Sequence, residues 1–177
     1  MTADPLSVVR GLIDRRSERV SIARDAVNVP MIHHLCDAVG DRDPRCLDRE
    51  AAHEAGYPDV IAPASSLQVW NMANPGEART ASDVEAAYAA LADGGYSAVV
   101  AVNCDQEYDR ALVPGDLLTA HERIESVAGP KRTGLGEGFF LTTLTRYTDQ
   151  HGEQVGAMRF RTLWYRPGPQ ADRTEDR

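Results

Sequence analysis

Beyond Ser97 the hydrophobic period of the chain changes from 3.6 to 2, and this switch limits the available folds more than any other feature. Upstream, Asn28-Val29-Pro30 supplies a cap and an early helical proline. Ile32, Leu35, Cys36 and Val39 then recur at helical spacing until Gly40 stops the pattern. Ala64 to Ala73 follows Pro63 and is apolar on most sides through Leu67, Val69, Trp70 and Met72, which predicts a buried helix ending at Asn74-Pro75-Gly76. Ser82-x-x-Glu85 is a capping box, and Val84, Tyr88 and Leu91 predict a further, peripheral helix before Gly94-Gly95. Downstream, Ser97 to Tyr108, Leu117 to Val127, Gly138 to Tyr147 and Val155 to Tyr165 read as strands. Turns are expected at Pro114-Gly115, Gly129-Pro130 and Asp149 to Gly152, and connections this short imply antiparallel neighbours. Helices first and an antiparallel sheet afterwards is an α+β layer pattern, with the apolar helix covered by the sheet.

The 177 residues suit one domain. Residues 1–24 read as a lead-in with a short helix at Pro5 to Arg15 and a strand near Val20 to Ala23. Residues 25–167 read as the domain, and 168–177 as a polar, disordered tail. No stretch approaches the roughly 18 apolar residues of a membrane span, and the N-terminus lacks the order of a secretory signal, so a cytoplasmic protein is expected. A net charge of −8 with scattered basic residues argues against nucleic-acid binding. Cys36, Cys46 and Cys104 are far apart with no C-x-x-C, and the five histidines show no H-x-x-x-H or H-E-x-x-H spacing. Neither a disulfide framework, a metal site nor a cofactor is expected.

From Asp41 to Pro63 the period is lost, except for one possible helical turn around Arg49 to Ala55, and irregular segments of this length are often functional. Gly40-Asp41-Arg42-Asp43-Pro44-Arg45-Cys46-Leu47-Asp48 resembles the motif G-D-x-N-P-x-H-x-D of the MaoC-like, or R-specific enoyl-CoA hydratase and FAS1-like dehydratase, family. IAPASSLQVWNM, GYSAVVAVNCDQEYDRALVPGD and GPKRTGLGEGFFLTT are similar to the MaoC-like part of the larger subunit of actinobacterial steroid side-chain enoyl-CoA hydratases, over roughly residues 25 to 167. The resemblance implies a hotdog fold, in which an antiparallel sheet wraps a central buried helix. It places Asp41 at the catalytic acid, Asp43 at the motif asparagine and Cys46 at the catalytic histidine. It further implies an acyl-CoA or acyl-carrier-protein thioester as ligand, and a small MaoC-like catalytic subunit, or a second copy, as partner. The larger subunits usually continue into a region that recruits a thiolase or aldolase; this sequence stops at Arg177 before any C-x-x-C.

Hydration of an enoyl thioester needs a base for water, an acid for the α-carbon and donors for an enolate-like oxygen. Asp41 can fill one of the first two roles, whereas a thiol of ordinary pKa near 8.5 replaces an imidazole poorly. Cys46 is expected as an inert, partly buried thiol, the other reading being a nucleophile activated by Arg42 or Arg45. The Pro63, Ala64 and Ser65 entrance to the apolar helix would offer amides to the thioester oxygen, with ordinary capping by Ser65 as the plainer account. Trp70 and Met72 would line an acyl tunnel or simply fill the core. The cluster Asp105, Glu107, Asp109 and Asp116 is a charged strand end or an acid/base pair, and Lys131 with Arg132 could meet a coenzyme phosphate. Three functions are open. The first is a MaoC-like subunit that lacks the motif histidine and shapes the tunnel for a bulky steroid- or polyketide-type acyl chain beside a catalytic partner. The second is a stand-alone biosynthetic dehydratase, isomerase or cyclase using Asp41 and Cys46. The third is a non-enzymatic acyl-binding or thiolase-docking module.

Overall fold

The structure is a computed structural model and describes residues 4–73 and 81–167. Four strands follow the change of period: β2 (Ala98–Tyr108), β3 (Thr119–Thr133), β4 (Gly136–Thr148) and β5 (Gln154–Pro167). With the short β1 (Arg19–Ile22) they form one antiparallel sheet in the order β1-β3-β4-β5-β2. β3, β4 and β5 are 13 to 15 residues long, so the hairpins are long enough to curve around what they cover. The β3–β4 turn lies at Thr133 to Gly136, where the Thr133 hydroxyl donates to the Gly136 carbonyl at 2.7 Å. Gly129-Pro130, expected as that turn, instead sits inside β3 at a register shift between Ala128 and Lys131. Proline brings no N–H to the ladder, so it occupies an irregularity in the pairing rather than ending the strand.

The helices pack on one face of the sheet and make two cores. The first joins α1 (Pro5–Arg15) and α5 (Asp83–Asp93) to the sheet through Val9, Leu12, Val84, Ala87, Leu91, Ile124, Phe139 and Leu141. Tyr96 meets the Phe139 ring edge-on at 4.7 Å, and Tyr88 stacks on Trp164 at 5.0 Å. The helix expected as peripheral is therefore a core helix: Val84, Ala87 and Leu91 are no more than 1% exposed. Ser82 caps it as the sequence predicts, accepting the Glu85 N–H at 3.2 Å. α1 and β1, read as a lead-in, are also built into this layer, with Arg19 of β1 opposite Glu122 of β3.

The second core carries α2 (Val29–Val39), α3 (Pro44–Leu47), α4 (Arg49–Glu54) and the segment that follows them. Asn28 accepts the Met31 N–H at 3.0 Å and Gly40 closes α2 at φ 72°, as the cap and stop signals require. Ile32 and Cys36 are fully buried, while Val39 is 58% exposed. Ala64 to Ala73 is not the continuous central helix expected from its apolar pattern. It forms two three-residue 3-10 turns, Ala64–Ser66 and Val69–Asn71, with Ser66, Leu67 and Trp70 buried. Serine, valine, tryptophan and asparagine are weak helix formers, and tertiary bonds claim the segment at both ends. Asn71 Nδ2 donates to the Ser21 and Leu118 carbonyls at 3.0 and 3.2 Å, and the Trp70 indole N–H donates to Ser66 Oγ at 3.3 Å. The expected Asn74-Pro75-Gly76 stop and the 168–177 tail lie outside the described residues.

One ionic knot ties β2, the β2–β3 loop and the β4–β5 turn together. Arg110 grips Asp116 with both terminal nitrogens at 2.7 and 2.9 Å and also reaches Asp149 at 2.9 Å. Asp149 accepts the His151 and Glu153 N–H groups at 2.8 and 3.0 Å. Burial alone would raise its pKa, but the Arg110 guanidinium and these backbone donors outweigh it and hold the carboxyl below its ordinary value. The unfolded chain therefore takes up this proton first on acidification, so the knot stabilises fully above about pH 4 and is lost as pH falls through the folded value. Asp149→Ala, which leaves Arg110 with Asp116 alone and takes the acceptor from the His151 and Glu153 amides, is expected to destabilise the fold by about 2 kcal/mol at pH 7 in denaturant titration. The difference from wild type should shrink below about pH 4; a gap that stays constant to pH 2.5 would refute the ionic account.

Candidate functional site

Where α2 ends, the chain turns at Gly40 and runs through Asp41 into α3, so the degenerate motif lies on a helix end, a tight turn and a single helical turn. The Asp41 N–H donates to the Cys36 carbonyl at 2.9 Å, and Asp41 Oδ1 in turn accepts the Asp43 N–H at 2.9 Å. Asp43 caps α3 through the Arg45 N–H at 3.0 Å. The Ile61 N–H donates to the Arg45 carbonyl at 3.0 Å and the Ala62 N–H to the Leu112 carbonyl at 2.8 Å, which draws the Pro63 entrance alongside the motif. A cavity of about 360 Å³ results. Asp41, Asp43, Arg45 and Cys46 line it, together with Tyr57, Ile61 to Ala64, Tyr108 and Arg110 to Leu112.

Of the residues singled out from sequence, the cavity thus unites Asp41, Cys46, Pro63 and Ala64. Ser65 is exposed on the adjoining turn. Trp70 belongs to the buried core, and Met72 is 68% exposed beside a second cavity of about 410 Å³ that Gln68, Asn71, Tyr147 and Met158 also line. Because Pro63 opens a 3-10 turn of three residues and not a long helix, any donation to a ligand would come from individual amides, without a sizeable helix dipole behind them. The acidic cluster disperses: Glu107 meets Arg159 at 3.4 Å, Asp109 accepts from Gln154 at 2.9 Å, and Asp116 belongs to the Arg110 knot. Lys131 and Arg132 are exposed, with Lys131 lying 5.9 Å from the Phe140 ring.

Cys46 is 2% exposed. Burial, then the neighbouring Cys36, Asp43 and Asp41, push its thiol up to about 12, so it holds its proton at neutral pH. Neither arginine considered as its activator serves it. Arg45 is turned onto Asp43, with Nη2 at 2.5 Å from Oδ2, and Arg42 onto Asp37 at 2.9 Å. Among the described residues no histidine lines the cavity. Tyr57, Tyr108 and Arg110 are site residues that the sequence pattern does not single out. The Tyr108 hydroxyl meets both the Ala64 carbonyl and the Gln106 side chain, fixing the first 3-10 turn against the end of β2. Tyr108 is three residues beyond Asp105 in a strand whose residues are nearly all exposed, so its hydroxyl gives no periodic signal.

The model of the FAS1-like dehydratase domain region matches residues 18–158. The chain is 47% identical over 148 residues to a probable enoyl-CoA hydratase alpha subunit from Thermomonospora curvata, covering 81% of this chain and 46% of that protein. It is 40% identical over 153 residues to the 3-oxo-4,17-pregnadiene-20-carboxyl-CoA hydratase alpha subunit of Mycobacterium tuberculosis, covering 82% and 47%. The chain therefore spans about half the length of the curated relatives it matches. Among solved structures, a chain in the ChsH1-ChsH2 complex from Mycobacterium tuberculosis superposes with a TM-score of 0.88 at 34% identity, covering 97% of this chain and 96% of that one. With the family model matched over most of its length and the α+β sheet-and-helix layers of the hotdog fold in place, this chain belongs to the FAS1-like, MaoC-like dehydratase family.

Proposed function

We propose that this chain is the MaoC-like subunit of a heteromeric enoyl-CoA hydratase or dehydratase for a bulky, steroid- or polyketide-type acyl thioester, in which a partner subunit supplies the catalytic histidine. The observation that carries this reading is the buried Cys46 at the motif's histidine position, lining a cavity that keeps Asp41 but holds no imidazole among the described residues. Such a cavity can position an acyl thioester and orient donors, yet it has no group that exchanges a proton near neutral pH on both sides of the double bond. The names of the relatives support a CoA-thioester hydratase, since one is a probable enoyl-CoA hydratase alpha subunit and another a 3-oxo-4,17-pregnadiene-20-carboxyl-CoA hydratase alpha subunit, and the ChsH1-ChsH2 complex supports a heteromeric assembly.

A place for the partner is supported by β2. It is one edge of the sheet, opposite the short β1, and Val99, Val100, Val102 and Tyr108 along it are 39 to 52% exposed. An edge strand that displays both unpaired backbone and apolar side chains is a template for another sheet. Tyr108 stands at its end, so a chain that covers the edge also reaches the rim of the cavity. Among the described residues no helix is long and apolar enough to cross a membrane, and nothing in the reading requires one.

Two outcomes are expected. The purified chain should hydrate a bulky 2-enoyl-CoA no faster than about a hundredth of the rate it shows with a motif-bearing MaoC-like subunit, because general acid–base help of roughly 10²- to 10⁴-fold is missing; full turnover by the chain alone would overturn the reading. Cys46→Ala, assayed in the complex, should leave kcat within about threefold, less than the loss of a general acid or base. A hundredfold fall would instead assign Cys46 to the chemistry and favour a stand-alone enzyme.

A further inference from the structure

Cys36, Asp41 and Cys46 approach one another from three successive pieces of chain: the last turn of α2, the loop after it, and α3. One donor atom of each lies within 4.8 Å of the other two. The two thiols are 0% and 2% exposed, while Asp41 is half-buried at the cavity wall. Successive donors are five residues apart, a spacing that matches no single helix face, so a search for paired ligands along the sequence passes over them.

We propose that Cys36, Asp41 and Cys46 form a binding site for one thiophilic divalent cation, best suited to zinc, whose fourth coordination position opens on the cavity that Asp41 and Cys46 line. Two sulfurs and one carboxylate oxygen are a zinc donor set, and three protein ligands with one open position is a known zinc arrangement. Bonds of about 2.3 Å to sulfur and about 2.1 Å to oxygen would set tetrahedral donors roughly 3.5 to 3.8 Å apart. The present donors need only draw in by about an ångström. The support around them is already ordered: Gly40 makes the turn, the Asp41 N–H is tied to the Cys36 carbonyl, and Asp41 Oδ1 is held by the Asp43 N–H, so Oδ2 is the oxygen to turn towards the sulfurs.

Two thiolates and a carboxylate around a divalent cation leave one negative charge, which lies beside the solvent-open cavity rather than sealed in the core. Binding is a simple exchange without redox change: two S–H bonds lose their protons to solvent and two metal–sulfur bonds form. The ion can enter through the cavity, reaching Asp41 and Cys46 first and Cys36 behind them. Once bound it ties α2 to α3 across one cavity wall and takes no part in the hydration step. The site stands independently of the partner-supplied chemistry, and its test needs neither partner nor thioester.

The experiment is a titration of the full reduced chain with Co²⁺ as a spectroscopic stand-in, followed by displacement with Zn²⁺. The expected result is one ion per chain, an intense near-ultraviolet thiolate-to-cobalt charge-transfer band that zinc abolishes, and a higher Tm with zinc but not with Mg²⁺. Cys36→Ser and Cys46→Ser should each weaken binding by at least about tenfold, and Asp41→Asn by about tenfold. Cys104→Ser, which changes the exposed thiol on β2, should leave binding unchanged. The proposal fails if the wild-type chain shows no charge-transfer band at stoichiometric Co²⁺, a reading that requires no variant to fold. It also fails if the band survives Cys36→Ser, or if the two thiols close to a disulfide and the re-reduced chain takes up no ion.

Discussion

Arg110 is the residue on which the geometry of the site depends. It leaves the end of β2, closes on Asp116 in the loop before β3, and reaches across to Asp149 in the β4–β5 turn. Asp116 also carries the backbone that receives the start of α2, through Val27 N–H to the Asp116 carbonyl at 2.8 Å and Gly115 N–H to the Val27 carbonyl at 2.8 Å. A single guanidinium therefore fixes the sheet edge, the hairpin turn and the approach to the motif helix relative to one another. Paired on two carboxylates, a cation that would be costly to bury becomes a rigid corner post.

Most of the fold was legible from local chemistry. Asn28 and Ser82 announce helices through capping, Pro5 opens one at its first helical position, Gly40 ends one, and β-branched residues at period two mark β2 to β5. These signals are short-range, and the structure uses them as written. Failures came where tertiary bonds decided the outcome. The apolar stretch Ala64 to Ala73 looks like a central helix, yet the Asn71 bonds to Ser21 and Leu118 and the Tyr108 contact to Ala64 claim its two ends. Val84, Tyr88 and Leu91 look like a modest stripe until α1 closes over the helix and Ala87 is buried with Val84 and Leu91.

The candidate site was legible in part for the same reason. Asp41, Cys46 and Pro63 could be found from the order of residue types along one segment. Arg110 and Tyr108 could not, because their proximity to that segment is created by the end of β2 and the loop after it, some fifty residues away in sequence, while Tyr57 lies in the segment itself but at no motif position. The nearness of Cys36 to Cys46 is equally invisible, since a turn at Gly40 has to fold one helix end back beside the next. Burial then changes the meaning of a residue that was easy to see. Cys46 in water would be a modest nucleophile, and in this wall it is a proton-holding thiol.

The edge strand β2 has a polarity of its own. Its first half displays Val99, Val100 and Val102, and its second half Asp105 and Glu107. If two copies paired edge to edge about a two-fold axis centred on Asn103, antiparallel register would set Val99 against Glu107 and Ala101 against Asp105, leaving apolar side chains opposite carboxylates. A non-identical strand with cations facing the acidic half and apolar residues facing the valines meets no such conflict. In that register the strand matches a non-identical strand better than a second copy of itself.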